Sequence, residues 1–504
     1  MSNPSRGVQL PPGESGSRFF HHLLLDAVGA FPPLAAAEVP ADPKAFKRSY
    51  GDALVRFEAV RVGLPERAEV ARHLARGLVG GLRFGEEEGA AEPLAEHLSR
   101  PATAKLERRE GGGKGPGLRP TVPHGKKVYV GREVVQLAEE LHATQYMTAA
   151  ALAGIRWIID RAEAGGGTLD LRGQRFAVLG SSAELAPTLM LLEGGADVLW
   201  VDVASHETGL AMVAGTPGAL SWVPGVGNII ADPRGVLAAV EAFAGDGAVH
   251  MGMFAYAPGR GRELRLAATM DAIARHLAPA QLASVGFYVS PTTPGHMQPD
   301  TVAYVAERLR TMPRWQRALE VARALPRPGA YERGDVSIAR AVVALQGLGY
   351  QATQYIAKMM VAETWATAGR ALDGEAAAPV TISGNVAGIT NTRSLEHPLF
   401  QAGFLGAPHY GVKIFEPATT RAMSGLLMLH DLLNPDAPGA AGRAYATPAA
   451  KAAAVASQQV HGGCYSLPWI FDATIRASAV VGLAKRPSLL LKLAPKKRKK
   501  KPTR

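Results

Sequence analysis

The chain has 504 residues, 47% of them hydrophobic and 20% charged, with one cysteine and a formal net charge of +11. This length suggests about two to four domains with a sizeable core. A lone Cys464 excludes an internal disulfide framework, and no apolar run reaches the ~18 residues that a membrane span needs.

In chain order, the first residues, "MSNPSRGVQLPPGESGSRFFHH", lack a basic start followed by an apolar stretch and a small-residue cleavage site. A secretory leader is therefore not expected, and a reducing, cytoplasmic setting is. Residues 1–107 read as a helical region, with "ERAEVARHLARGLVGGL" at helical spacing. Residues 108–127, "RREGGGKGPGLRPTVPHGKK", read as a Gly/Pro-rich linker. From 128 to 433 short apolar segments alternate with helical ones. "FAVLG", "VLWVDV", "NII", "AVHMGMFAY", "ASVGFYVS" and "PVTISG" are the strand candidates, and alternation of this kind predicts a parallel sheet covered on both faces. Residues 434–450 read as a flexible linker, 451–484 as a C-terminal helical segment and 485–504 as a disordered basic tail.

The charge is not spread evenly. Ten Lys or Arg and no acid fall in residues 485–504, so the preceding 484 residues carry a net charge of only +1. The tail's "PKKRKKK" offers a nonspecific contact to nucleic acid or anionic surfaces. In a eukaryote it resembles a nuclear import signal, and a solubilising extension with no specific partner is the plain alternative. "HATQY" at 142–146 and "QATQY" at 351–355 form one internal echo, too short to establish duplication.

The most informative stretch is Arg175 to Ala204, "RFAVLGSSAELAPTLMLLEGGADVLWVDVA". It reads as strand, Gly-Ser turn, helix and second strand. Gly180 permits the sharp turn, and Ser181 or Ser182 can lend an oxygen to free helix amides. Pro187 places the helix start at about Glu184 to Ala186. Asp202 ends the second strand 22 residues beyond Gly180, where a dinucleotide fold holds a ribose. Two features depart from that fingerprint: only one of its three glycines is present, and Glu184 would repel a phosphate at the helix start. S-adenosylmethionine, which has no phosphate, would suffer less.

Over residues 174–395 the order of elements resembles a divergent short-chain dehydrogenase/reductase. The resemblance implies a doubly wound, mostly parallel Rossmann-like fold, with Asp232 after the third strand beside the cofactor. It implies a catalytic Ser290 at the end of "ASVGFYVS", and a tyrosine from "GYQATQYIAKMM", either Tyr350 or Tyr355, aided by Lys358. The family's Tyr-x-x-x-Lys is absent, because Gln354 stands four residues after Tyr350. Its Asn-Asn-Ala-Gly is also missing from "VHMGMFAYAPG". "VTISGNVAGITNTRS" resembles the nicotinamide-side loop and supplies Gly388, Thr390 and Thr392. Pro294 to Gly347 forms an insertion, expected to be a lid or an interface.

The resemblance thus implies an NAD-dependent oxidoreductase acting on a small carbonyl or alcohol. Gly180, Ser181, Ser182, Asp202 and Asp232 would serve the cofactor. An S-adenosylmethionine-dependent methyltransferase is the second reading, and a catalytically inactive scaffold acting through partners the third. A homo-oligomer is compatible with each. Weaker candidates are His250 on the fourth strand, with Met251 and Met253, His296 after Ser290, and Arg393, Glu396 and His397 after the sixth strand. His461 and Cys464 are half of a metal site with no second half, and no metal is expected.

Overall fold

A computed structural model describes residues 6–85, 91–259 and 261–493. The molecule is mixed α/β, built on a seven-stranded sheet. Its strands are β1 (Glu107–Glu110), β2 (Arg175–Leu179), β3 (Asp197–Val201), β4 (Ala219–Trp222), β5 (Val249–Met253), β6 (Leu282–Gly286) and β7 (Thr381–Ser383). Their spatial order is β7-β6-β5-β2-β3-β4-β1. Six strands are parallel, and β1 closes the edge antiparallel to β4. From β2 the chain runs outward through β3 and β4. It then returns to lay β5 against the other side of β2, so the direction of winding reverses between these neighbours.

Alternation along the strands assigns the two faces. Phe176, Val178, Val198 and Trp200 pack toward α4 (Arg132–Ala143), α5 (Ala149–Ala164), α6 (Thr188–Glu193), α7 (His206–Val213) and α12 (Pro417–Leu433). Ala177, Leu179, Leu199, Val201, Met251 and Met253 pack toward α8 (Pro233–Ala244), α9 (Arg262–His276), α10 (Gly347–Gln354) and α11 (Val361–Ala368). The N-terminal helices α1 (Gly16–Ala30), α2 (Pro43–Val62) and α3 (Arg67–Gly81) share that second core. They are joined to it by a buried ion-pair network. Arg61 bonds both Glu58 and Glu363 at 2.8–3.0 Å, and Arg67 reaches Glu363 at 2.9 Å.

Several segments differ from the expectations of the sequence. The Gly/Pro-rich stretch begins as the edge strand β1 and continues along Val213 to Thr216, where its glycines let backbone meet backbone. A Cβ at Gly113 would collide with the Gly215 carbonyl, so these glycines serve close approach rather than flexibility. "NII" is not a strand. The third parallel strand is "ALSW", upstream, because Pro224 and Gly225 turn the chain before Asn228. The insertion holds two helices, Pro299–Arg310 and Arg314–Val321, and a three-stranded sheet. They build a third core with Tyr410, Trp469 and Phe471.

The stretch 434–450 runs along the free edge of β7, Ile382 donating to the Gly439 carbonyl at 2.9 Å, and so covers a strand edge. Helices Phe471–Lys485 and Ser488–Leu493 extend into the start of the expected tail. The "PKKRKKK" segment and the contacts expected of it lie outside the described residues. The two Ala-Thr-Gln-Tyr copies sit in different settings, one after the end of α4 and the other running out of α10. Among the described residues no helix is long and apolar enough to cross a membrane.

Candidate functional site

A cleft of about 1130 Å³ opens at the carboxyl edge of the sheet. Its wall takes Ser182 from the turn after β2, Met253, Phe254 and Tyr256 from the end of β5 and beyond, Tyr288 to Thr292 after β6, and Ala387 to Thr390 with Thr392 and Arg393 after β7. It therefore straddles the point where winding reverses, the position at which open α/β sheets bind ligands. The N-terminal region closes one side through Leu10 and Glu14 to Ser17.

The acid–base candidates divide into two groups. Tyr350 lines the cleft, and the polar side chains of Ser290, Thr292 and Gln346 favour the ionised form of its hydroxyl. Ser290 in turn meets the Thr292 hydroxyl at 2.9 Å, while its backbone N–H donates to Gln354 at 3.0 Å. Burial raises the Tyr350 phenol above its ordinary value, and these polar neighbours oppose the rise. Lys358 also lines the cleft and donates to the Tyr288 carbonyl at 2.8 Å. Burial pulls its ammonium down to about 8, with Glu263 opposing. Tyr355 faces away, fully buried, donating to Glu58 at 2.7 Å within the ion-pair network.

Tyr355, five residues beyond Tyr350, stands about 140° around the helix and so faces away, while a local irregularity places Lys358. In a straight α-helix Lys358 would stand about 80° around the axis from Tyr350. Residues Tyr355–Met360 instead form a π-helical turn between α10 and α11, and its wider winding returns Lys358 toward the Tyr350 face. The four-residue Tyr-to-Lys spacing sought in the sequence is thus replaced by eight residues with a π turn between.

The cofactor candidates divide differently. Gly388, Thr390 and Thr392 line the cleft, Thr390 being fixed by the Gly388 carbonyl and the Thr420 hydroxyl, each at 2.7 Å. Ser182 lines it too. Gly180, Ser181, Asp202 and Asp232 are not part of its wall. Gly180 has φ +87°, and a Cβ there would strike the Ala255 backbone, whose N–H closes onto the Leu179 carbonyl at 2.8 Å. Ser181 is buried, donating to the Val178 carbonyl at 2.6 Å and accepting from the Val201 N–H at 3.0 Å. Asp202 accepts from the N–H groups of Ser182 and Ala204 at 2.7 and 2.8 Å. Asp232 caps α8 through the Gly235 N–H. The helix after Gly180 starts only at Thr188 and has six residues, since Pro187 cannot continue it backward.

The weaker candidates are elsewhere engaged. His250 lies near the start of β5, away from the carboxyl edge, bonded to Ser284 at 2.8 Å and Gln174 at 2.9 Å; burial lowers it to about 4. His461 and Cys464 are buried side by side, the thiol on the His461 carbonyl at 3.0 Å. His296 pairs with Ile338 in the insertion's sheet. Arg393 borders the cleft, its backbone N–H on Glu184 at 3.1 Å.

Sequence reasoning missed Tyr256 and Glu263, bonded to each other at 3.2 Å in the cleft wall. Burial and the neighbouring Glu263 carboxylate raise the Tyr256 phenol, and burial raises Glu263 itself. The signal was available: "YAPGRGRE" directly follows the fourth strand at its carboxyl end. Compared with known proteins, the chain matches no family model and no curated protein sequence.

Proposed function

We propose that the chain is an enzyme that transfers a proton at the oxygen of a small carbonyl or alcohol, in a doubly wound Rossmann-like frame laid out like a short-chain dehydrogenase/reductase. The carrying observation is that Tyr350, Ser290 and Lys358 share one cleft at the reversal point of the sheet. The strand order, with parallel strands read as 3-2-1-4-5-6, matches the doubly wound dinucleotide layout. A substrate oxygen near Tyr350 and Ser290 would accept two hydrogen bonds. Burial keeps Tyr350 protonated, so it would enter the reaction as a hydrogen-bond and proton donor to a developing alkoxide.

The residues present fit NAD at one end only. The loop holding Gly388, Thr390 and Thr392 beside Tyr350 suits a nicotinamide, which would supply hydride chemistry. The Gly180 turn does not suit a pyrophosphate: Ala255 fills the space that the glycine opens, the following helix is short, and Glu184 stands in the cleft wall. Glu184 favours a second reading, S-adenosylmethionine and methyl transfer, because that ligand presents no phosphate to repel.

Calorimetric titration of the full chain with NADH, NADPH and S-adenosylmethionine tests these readings. Micromolar NADH binding that is lost in a cleft-filling Ser182→Trp variant supports the oxidoreductase. Binding of S-adenosylmethionine alone moves the reaction to methyl transfer, and silence from all three removes the cofactor and favours an inactive scaffold.

A further inference from the structure

We infer that Lys358 is a nucleophile whose side-chain amine condenses with a small aldehyde or ketone in the cleft to form an iminium, with Glu263 moving the protons. The inference rests on the reading of the cleft as a site for a small carbonyl, but neither on a nicotinamide nor on Tyr350 as the proton donor. Lys358 lines the cleft and is only half-buried there. One of its N–H groups is held on the Tyr288 carbonyl at 2.8 Å, which fixes the nitrogen and leaves its other valences for a carbonyl carbon. The residue stands on the π turn, a distortion that recurs at functional sites. Its electrostatic partner is Glu263, in the first turn of α9, rather than the Tyr350 phenol. Tuning of that tyrosine therefore does not account for the lysine.

The surroundings supply a free amine. A lysine attacks only after losing its proton, and burial depresses this ammonium to about 8 from the usual 10.5. The other charges in the cleft wall are paired, Glu14 with His22 and Glu184 with Arg393. Burial raises the phenols of Tyr256, Tyr288 and Tyr350, so they stay neutral. Glu263, raised by burial and accepting from the Tyr256 hydroxyl, is suited to giving and taking protons. Its carboxylate first takes the ammonium proton. The Lys358 nitrogen then bonds the carbonyl carbon, the C=O electron pair moves to oxygen, and that oxygen takes the proton from Glu263. The carboxylate recovers a proton from nitrogen and delivers it to the hydroxyl. The C–O bond breaks, water leaves, and the nitrogen lone pair closes the C=N bond of the iminium. Cationic iminium and anionic Glu263 are left side by side. The iminium draws electrons from the adjacent carbon, so the substrate class is a carbonyl with an α hydrogen, for which Glu263 is the base.

Trapping tests this. The full chain is incubated with acetaldehyde, propanal, acetone or hydroxyacetone, then with cyanoborohydride, and the resulting secondary amine is located by peptide mass mapping. At pH 7 Lys358 should be labelled at least about tenfold faster than the exposed Lys44 and Lys47, because more of it is free amine, and the rate should rise to a midpoint near 8. Glu263→Gln should be labelled at the same lysine at least about tenfold more slowly, with a lower midpoint, since the opposing carboxylate is gone. Saturation-transfer NMR of the same carbonyls, with the wild type and with Ser182→Trp, reads entry into the cleft separately. Carbonyl binding that Ser182→Trp abolishes, with Lys358 labelled no faster than Lys44, overturns the inference and leaves the reading of the cleft standing. An unchanged rate and midpoint in Glu263→Gln overturns the part given to that residue. Neither binding nor label from any of the four carbonyls overturns both.

Discussion

The Tyr350 hydroxyl and the Ser290 side chain act on each other at the cleft wall, although the two lie 60 positions apart in the chain with a folded insertion between them. The pair forms because β6 ends at the cleft and α10 runs over the same edge, where Gln351 and Gln354 tie the helix to the loop through Thr292 at 2.8 Å and Ser290 at 3.0 Å. Removing those ties should disturb the pair without touching either hydroxyl.

Lys358 carries a pH signature. Its folded value of about 8 lies below the ordinary 10.5, so below pH 8 both folded and unfolded chains are charged and the fold bears the cost of the buried ammonium. That cost is relieved as pH rises from 8 to 10.5. Lys358→Met should therefore be more stable than the wild type below pH 8, by up to roughly 3 kcal/mol, with the advantage shrinking toward pH 10.5. Urea titrations at pH 7 and 10 measure the difference, and a pH-independent gap would rule out the buried ammonium as its source.

The network holding Tyr355 should be sensitive to truncation. Burial alone would raise the Glu363 carboxyl, but the guanidinium groups of Arg61 and Arg67 outweigh it and hold it below its ordinary value. Its stabilisation is present above the unfolded carboxylate value and is lost as pH falls through the folded one. Glu363→Ala takes the carboxylate from the buried Arg67 and leaves the buried Arg61 with Glu58 alone, and should cost about 3–5 kcal/mol at pH 7. Denaturant unfolding reads the loss directly, and a cost under 1 kcal/mol at pH 7 would contradict a buried, paired arrangement.

His250 should set part of the acid limb of stability. Its folded value of about 4 lies below the ordinary 6.5, so between these values the unfolded chain takes up the proton first and stability falls as pH falls. A contribution on the order of 3 kcal/mol follows. His250→Gln should flatten the fall in melting temperature between pH 6.5 and 4; an unchanged slope would mean that another group titrates there.

Gly180→Ala should destabilise by about 2–4 kcal/mol, from positive φ and collision with the Ala255 backbone together. If Gly180 serves packing rather than a pyrophosphate, a mild reduction in temperature should restore whatever ligand binding the variant loses. Calorimetry at 10 and 25 °C distinguishes the two roles.

Much of the fold was legible because it rests on local alternation. The apolar runs at 175–179, 197–201, 249–253 and 282–286 are strands, and Gly180 and Asp202 stand where a strand-turn-helix-strand unit puts them. Ser290 lies beyond the end of β6, and Tyr350 and Lys358 lie on the helix over the same edge, as the order of elements led one to expect. What the sequence hid was tertiary. Asp202 has the spacing of a ribose ligand, yet both its oxygens hold turn amides. The five-residue spacing turns Tyr355 away from the Tyr350 face, but Lys358 is brought back toward it by a π turn that no local pattern announces. "NII" lost to "ALSW" because a Pro-Gly turn, rather than apolarity, decided where the strand ended.

The most direct measurement is turnover of a panel of small aldehydes, ketones and alcohols, followed by NMR with NADH supplied, for the wild type, Tyr350→Phe and Tyr355→Phe. The expected result is conversion of at least one carbonyl by the wild type, with kcat lowered about 10²- to 10⁴-fold in Tyr350→Phe and KM changed far less. Folded Tyr355→Phe should retain activity. Tyr350→Phe turning over at the wild-type rate, or losing no more than Tyr355→Phe, would contradict the assignment of proton transfer to Tyr350.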